Sequence, residues 1–255
     1  MRTGTILAIA TIGLMLQALP ATADWNPGDP HKMETPQLPD MNGWDISWGP
    51  RGQDPLWKWE PRADDWRCSS SGPVSDIHLW YSWQADVVGT IDHVGVQICA
   101  NDAAPDYDEP GSILWNYIFD PEDFTTRLYG TGDQGFYFPW NMQANPNDHT
   151  KVYQLNMEDI AEPFYQYEGQ IYWLVVNVYT SPLPDTSTGT PHMGWKTNGK
   201  GTLSNAVYDR DGAWIRIPDP DDFTWPQDLA FVITPEPGAF LLLALGGLGL
   251  LRRRR

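Results

Sequence analysis

Ile171-Tyr-Trp-Leu-Val-Val-Asn-Val-Tyr179 is the stretch that decides how the rest of the chain folds. Apolar side chains occupy both alternating sets of positions, so a strand formed here is buried on both of its faces. We therefore predict a central β-strand that other parts of the chain cover from above and below.

The segments before and after this strand carry strand patterns of their own. Every second residue from Ile77 to Trp83 is apolar, and the same period of two places Val94, Val96 and Ile98 on one face. Further strand candidates are residues 112–119, 124–129, 136–138, 151–156, 194–197, 213–217 and 229–233. Many short strands joined by Gly- and Pro-containing turns predict an all-β fold, which we interpret as a jelly-roll-like β-sandwich.

The sequence also predicts the conformation of three connecting segments. Residues 101–111 are acidic and contain two prolines, which indicates a loop. The glycine-rich residues 130–135 indicate a hairpin turn between two short strands. Residues 157–164 are the one place where a short helix is expected, ended by Pro163.

A Pro- and Trp-rich arm, residues 24–63, precedes the β domain that we assign to residues 64–234. Residues 24–61 contain five tryptophans and seven prolines, and this density of proline excludes long helices. We expect the arm to lie over the domain and to insert its indole rings as apolar mass. An aromatic platform for sugar binding is the alternative interpretation of the same tryptophans.

The first 23 residues have the pattern of a secretory signal peptide. Arg2 is followed by an apolar run and then by Ala21-Thr22-Ala23, which is an A-x-A cleavage site. The prediction is export by the Sec machinery with cleavage after Ala23.

The C-terminal residues 235–255 combine three features. A Pro-Glu-Pro joint, Pro235, Glu236 and Pro237, cannot continue a strand or helix, and an apolar stretch covers residues 239–251. The chain ends in four arginines, Arg252, Arg253, Arg254 and Arg255. The apolar stretch is about 20 Å long as a helix, against a hydrocarbon core of about 30 Å. This order resembles the PEP-CTERM sorting signal of exported bacterial proteins, which implies recognition and removal by an exosortase-like enzyme.

The predicted mature body is strongly acidic. Without the two terminal signals, 11 basic and 32 acidic residues remain, a net charge of about −21. Such a body has no cationic face for phosphates, so nucleic-acid binding is excluded, and contact with the membrane is expected only through the C-terminal segment.

The two cysteines, Cys68 and Cys99, are expected to form a disulfide. Export places them in an oxidising compartment, and only one pairing is possible. Unpaired buried thiols are the alternative.

Motifs for metal binding and catalysis are weak. Asp209 and Asp211 begin like a calcium loop, but the later positions of an EF-hand do not follow. They are the residues we name for a structural Ca²⁺; otherwise no cofactor is expected.

The histidines lack paired ligand spacing. His78 and His93 are interpreted as surface residues that would be neighbours only if their strands pair. Because no nucleophile elbow or phosphate loop occurs, the sequence predicts no enzyme activity.

Six blocks of the body occur in an order that resembles an uncharacterised all-β domain of planctomycete-type PEP-CTERM proteins. They are residues 64–68, 74–80, 123–124 with 129–135, 168–174, 194–197 and 228–234. The resemblance implies an all-β fold and no assigned activity.

The expected function is that of an exported protein, processed by an exosortase-like enzyme and retained at the cell surface or in the extracellular matrix. The expected role is structural or adhesive, with extracellular polysaccharide as a partner. The alternative is a lectin-like carbohydrate-binding module or a carbohydrate-active enzyme with a jelly-roll fold.

Overall fold

A computed structural model describes residues 24–48, 61–181, 191–199, 201, 203–222, 225 and 227–235. These residues form fifteen β-strands and one short 3-10 turn, Gln84–Asp86. The strands are β1 Trp44–Ser47, β2 Arg62–Arg67, β3 Gly72–Pro73, β4 Asp76–Trp83, β5 Thr90–Ala103, β6 Asp108–Phe119, β7 Phe124–Phe138, β8 Gln143–Met157, β9 Tyr165–Gln166, β10 Ile171–Ser181, β11 Met193–Asn198, β12 Val207–Arg210, β13 Ala213–Arg216, β14 Asp228–Leu229 and β15 Phe231–Thr234. The predicted all-β class is confirmed.

The central strand predicted from the sequence is β10. It lies inside a six-stranded sheet with the order β13-β12-β2-β10-β5-β6 and pairs antiparallel with both β2 and β5. Leu174 and Val176 face the main core, whereas Trp173 and Val175 lie in a second cluster on the opposite face of the sheet. Both faces of β10 are therefore covered, as its sequence predicts.

A seven-stranded sheet has the order β14-β11-β1-β7-β8-β4-β15. In addition, β11 pairs with β4, so the five strands β4, β8, β7, β1 and β11 close into a ring. β4 makes this possible because β15 pairs with its first half and β11 with its last three residues. A jelly-roll topology stays a prediction.

Tryptophan side chains fill much of the main core between the two sheets. Trp66 from the six-stranded sheet meets Phe231 of the other sheet edge to face, with ring centroids 6.0 Å apart. Trp195 stacks on Trp48 at 5.9 Å. Burial of a large apolar side chain of this kind contributes about 1.5–3 kcal/mol to the free energy of unfolding.

The arm supplies three of these buried indoles. Trp25, Trp44 and Trp48 are all buried, so the prediction that they serve as apolar mass is confirmed. Trp57 and Trp59 lie outside the described residues. Residues 44–47 of the predicted arm form β1 in the middle of the seven-stranded sheet.

Residues 130–135 are not the predicted hairpin turn. They belong to β7, which is continuous over fifteen residues, with irregular register opposite β8. The glycines allow the arm to approach: a Cβ on Gly132 would be 1.8 Å from the carbonyl oxygen of Met41, and one on Gly135 would be 2.3 Å from the Trp44 ring. Glycine is required here for close approach and not for a turn.

Other local predictions also need correction. Residues 157–164 contain no helix, and the acidic loop at 101–111 is shorter than expected because β5 extends to Ala103 and β6 begins at Asp108. Several strands are long, with β7 and β8 each spanning fifteen residues. No helix among the described residues is long and apolar enough to cross a membrane. The predicted signal peptide and the apolar stretch at 239–251 lie outside those residues.

The predicted Cys68–Cys99 disulfide is wrong, because both thiols are free and buried. Cys68 faces the main core, where its Sγ donates to the carbonyl oxygen of Ser70 at 3.1 Å. Cys99 lies in the second cluster on the other face of the sheet, beside Trp173. A disulfide needs side chains that point at each other, and the sheet separates these two.

We expect alkylation of the unfolded, non-reduced protein to label both cysteines. Burial raises the pKa of the Cys68 thiol, and it raises that of Cys99 to about 11, so both are protonated and enclosed in the folded state. The folded protein should therefore react slowly. Peptide mapping by mass spectrometry provides the measurement, and a linked pair of cysteine peptides would contradict the structure.

Gly132→Ala should destabilise the protein by about 1–3 kcal/mol, because the new methyl group meets the backbone of Met41, which cannot move without displacing the arm. Thr131→Ala, at the exposed neighbouring position, is the matched control and should change the stability little. Urea unfolding of the three proteins is the measurement. Equal midpoints for both variants would show that the arm does not press on β7.

Candidate functional site

The five strands of the ring enclose polar side chains. Each strand contributes at least one buried polar residue, among them Ser82 from β4, Gln134 from β7, His149 from β8, Asp45 from β1 and Lys196 from β11. Ser82 donates to the side-chain oxygen of Gln134 at 3.2 Å, across the intervening strand β8. Contacts over an intervening strand require a strongly curled sheet, as ring closure produces.

Asp45 is the centre of this ring cluster. Its Oδ2 accepts hydrogen bonds from Lys196 Nζ at 3.0 Å and from His149 Nε2 at 2.9 Å, and all three side chains are fully buried. His149 Nδ1 lies 3.2 Å from Asp148 Oδ1. Burial opposes the protonated imidazolium, but the bonds to Asp148 and Asp45 outweigh it and raise the pKa of His149 to about 9. The cations of Lys196 and His149 thus face the enclosed carboxylate of Asp45, and the partly buried carboxylate of Asp148 contacts the other nitrogen of His149.

A second buried polar group joins the two sheets. Asp64 is completely enclosed, and its carboxyl accepts the backbone N–H groups of Asp65 at 2.8 Å and Leu229 at 2.6 Å. Burial, followed by the nearby Asp228 and Asp65, raises the pKa of Asp64 well above its usual value; burial also raises that of Asp65 to about 7. The sequence gives no signal for either cluster, since the partners are far apart along the chain.

The predicted calcium residues lie in the β12–β13 hairpin, Asp209 within β12 and Asp211 in the turn that follows it. Asp209 Oδ1 accepts the N–H of Gly212 at 2.8 Å, and Asp211 and Gly212 both have positive φ, of 58° and 86°. The two residues thus build a tight hairpin turn. Within the described part of the chain, no group of three or more His, Cys, Asp or Glu residues is arranged to hold a metal ion. Calcium binding at this turn stays a prediction.

The histidines discussed in the sequence are not brought together. His78 lies on β4 and His93 on β5, which belong to different sheets. His78 is buried and bonds to Asn156 at 2.8 Å, and burial lowers its pKa to about 4, so its interpretation as a surface histidine is wrong. His93 stacks on Tyr179, with ring centroids 3.9 Å apart.

An open cleft of about 850 Å³ lies beside β9. Tyr165 and Tyr167 project into it, and the backbone that carries them is tied down: the N–H of Tyr167 donates to the Tyr172 hydroxyl at 3.0 Å. The N–H of Gly169 donates to the Cys68 carbonyl at 2.8 Å, and Arg67 Nη1 donates to the carbonyl of Gly169 at 3.2 Å. We call this the tyrosine cleft.

A smaller pocket of about 390 Å³ lies where the arm meets the end of β11. It is acidic, with Asp40, Asp219 and Asp221 in its lining, and Trp225 at its rim is 64% exposed. Asp221 accepts the indole N–H of Trp44 at 2.9 Å. We call this the acidic pocket.

The predicted sorting residues lie at the end of the described chain. Pro235 follows directly on β15, the last strand of the core, whereas Glu236, Pro237 and the arginines at 252–255 lie outside the described residues.

The fold and these sites define an all-β protein with enclosed charges and with open clefts that differ in chemistry. The chain belongs to the family defined by the domain of unknown function DUF7901, which matches residues 33–234, so the predicted resemblance to an uncharacterised domain is confirmed. The PEP-CTERM protein-sorting motif matches residues 234–255, and the chain is an exported protein targeted to an exosortase. Comparison with curated proteins and with solved structures finds no match.

Lys196→Met should destabilise the protein by about 3–5 kcal/mol, because it leaves Asp45 buried beside a single cationic partner. Lys151→Met is the matched control. Because the Lys151 side chain is partly exposed, this substitution should change the free energy of unfolding little. Urea unfolding measures both variants. A loss for Lys196→Met no larger than for the control would show that the network contributes nothing to stability.

The substitution His149→Gln should lower the free energy of unfolding most at low pH. The folded-state pKa of His149, about 9, is above its unfolded value, so its contribution is fully present below about pH 6.5 and is lost as the pH rises through 9. The difference in unfolding free energy between wild type and variant should fall by about 3 kcal/mol between pH 6 and pH 10. A difference that is constant with pH would contradict the assignment.

Proposed function

We propose that the mature body is a non-catalytic structural or adhesive module of the cell surface or extracellular matrix. In this proposal, the Sec machinery delivers the chain, an exosortase-like enzyme removes its C-terminal signal, and the body needs no cofactor for its role.

The position of the sorting motif carries this proposal. The motif begins at residue 234, which is also the last residue of β15. The folded body is thus joined directly to the sorting signal, and a cut after Thr234 leaves the core strands complete.

The charged side chains inside the body bind one another, and this supports a non-catalytic role. His149 and Lys196, which have the chemistry of a general acid or base, lie within the ring and neutralise Asp45. A catalytic group must be within hydrogen-bond reach of a substrate, and these side chains are closed off from solvent. The buried carboxyl of Asp64 likewise holds backbone N–H groups.

Carbohydrate binding is the second candidate function. The tyrosine cleft favours it, because Tyr165 and Tyr167 are 51% and 60% exposed on a fixed backbone. Exposed aromatic rings beside polar groups are typical of pockets that bind ring-shaped ligands. Such binding would give an adhesive module its partner.

Glu236→Ala, or deletion of residues 252–255, should leave an unprocessed precursor in the membrane fraction of a host that carries an exosortase. The reason is that either change removes part of the sorting signal while leaving β15 intact. Glu122→Ala, in an exposed turn of the body, is the control and should be processed normally. Intact-mass spectrometry of the secreted and membrane fractions provides the measurement, and an uncut C-terminus on secreted wild-type protein would contradict the proposal.

A further inference from the structure

The tyrosine cleft differs in charge from the rest of the molecule. The mature body carries about −21, yet the cleft is lined by one charged side chain, the cation Arg67, and by no carboxylate. Its lining also includes the apolar residues Leu114 from β6 and Ala100 from β5. The lining of the cleft therefore offers aromatic and apolar surface, and two carboxylates next to it are paired, Glu34 with Arg67 and Asp108 with Asn101.

The aromatic rings of the cleft are exposed and preorganised. The centroids of Tyr165 and Tyr167 lie 5.1 Å apart, with their planes inclined by 60°. Both rings stand on the segment that is fixed by hydrogen bonds to Tyr172 and Cys68. A ligand that covers these rings loses little conformational entropy of the protein, because the backbone is already held.

The cleft also has unused hydrogen-bonding groups. The hydroxyls of Tyr165 and Tyr167 and the side-chain amide of Gln170 make no hydrogen bond with any residue that the structure describes. Arg67 contacts Glu34 at 3.3 Å and the Gly169 carbonyl at 3.2 Å, which leaves further N–H donors of its guanidinium for a ligand. Hydroxyls, an amide and part of a guanidinium together offer both donors and acceptors.

We propose that the tyrosine cleft binds a neutral polysaccharide chain. The apolar face of a sugar ring would lie on Tyr165 or Tyr167, while its hydroxyl groups exchange hydrogen bonds with the amide of Gln170 and the guanidinium of Arg67. This inference rests on the proposed adhesive function and names its ligand class.

Charge and size select this ligand. A polyanionic polysaccharide is repelled by the acidic body, and the one cation of the cleft is shared with Glu34. An open cleft of about 850 Å³ is in the range that holds a ligand of several rings and is open enough for a chain to pass through. The acidic pocket, with three carboxylates in a smaller volume, offers a different chemistry.

Affinity electrophoresis of the secreted, processed protein tests the proposal. The gels contain mixed-linkage glucan, glucomannan or xylan as neutral polysaccharides, and polygalacturonate as the anionic comparison. At least one neutral polysaccharide should retard the wild type. Tyr167→Ala should weaken this retardation about ten-fold or more, as loss of an exposed aromatic anchor does, whereas Tyr167→Phe keeps the ring and should retain most of it.

Two variants serve as matched controls. Leu128→Ala removes a side chain of similar exposure (55%) outside the cleft, and Trp225→Ala removes the exposed ring of the acidic pocket. Both should migrate like the wild type. Near-ultraviolet circular dichroism and the urea midpoint establish that each variant is folded, which is expected because all of these side chains lie at the surface.

Several results would overturn the proposal. These are no retardation by any neutral polysaccharide, retardation by polygalacturonate alone, binding unchanged by both Tyr165→Ala and Tyr167→Ala, or binding lost in Trp225→Ala. Processing and surface retention are measured separately in cells. A protein that is sorted normally but binds no polysaccharide would remove this inference and leave the proposed sorting and surface location standing.

Discussion

The pairing of β4 with both β8 and β11 is the constraint on which the rest of the structure depends. It turns part of a sheet into a closed ring and takes the polar side chains of one face out of water. Buried polar groups are costly unless they are paired, and charges more so. Oδ2 of Asp45 meets this requirement because it accepts bonds from partners on β11 and β8, so ring closure and the charged network depend on each other.

The side chains enclosed by the fold differ in chemistry from those that line its open clefts. Reactive groups such as Lys196 and His149 are enclosed, and the thiols are buried on opposite faces of a sheet. The open clefts instead present aromatic rings, amides and carboxylates held by fixed backbone. This distribution is the one expected for the structural or adhesive role that we propose for the body.

The sequence predicts the features that depend on local periodicity. The two-faced apolar pattern of residues 171–179 predicts a central strand, and β10 is one. Local pattern does not reveal which segments approach one another. The glycines of β7 are interpreted as a turn because the arm that needs them lies ninety residues earlier, at Met41 and Trp44. The cysteine pairing fails for the same reason, since spacing does not say which face of a sheet a side chain takes.

The candidate sites show this limit most clearly. Asp45 and His149 are 104 residues apart, and nothing in their neighbours indicates that they meet. The tyrosines of the cleft occur in a short polar segment with a two-residue strand, too short for a periodic signal. The arm tryptophans offer the sequence pattern for an aromatic platform, but the structure buries Trp25, Trp44 and Trp48 and exposes the rings beside β9 instead.

The place of β15 in the fold has a consequence for the timing of export. This last strand pairs with β4, and Ile233 also accepts the N–H of Lys32, near the other end of the body. A polypeptide that crosses a membrane with its N-terminus leading cannot complete its core until residue 234 has emerged. In the export route that we propose, the apolar stretch enters the bilayer at this stage, so the core is completed beside the membrane before the sorting signal is removed.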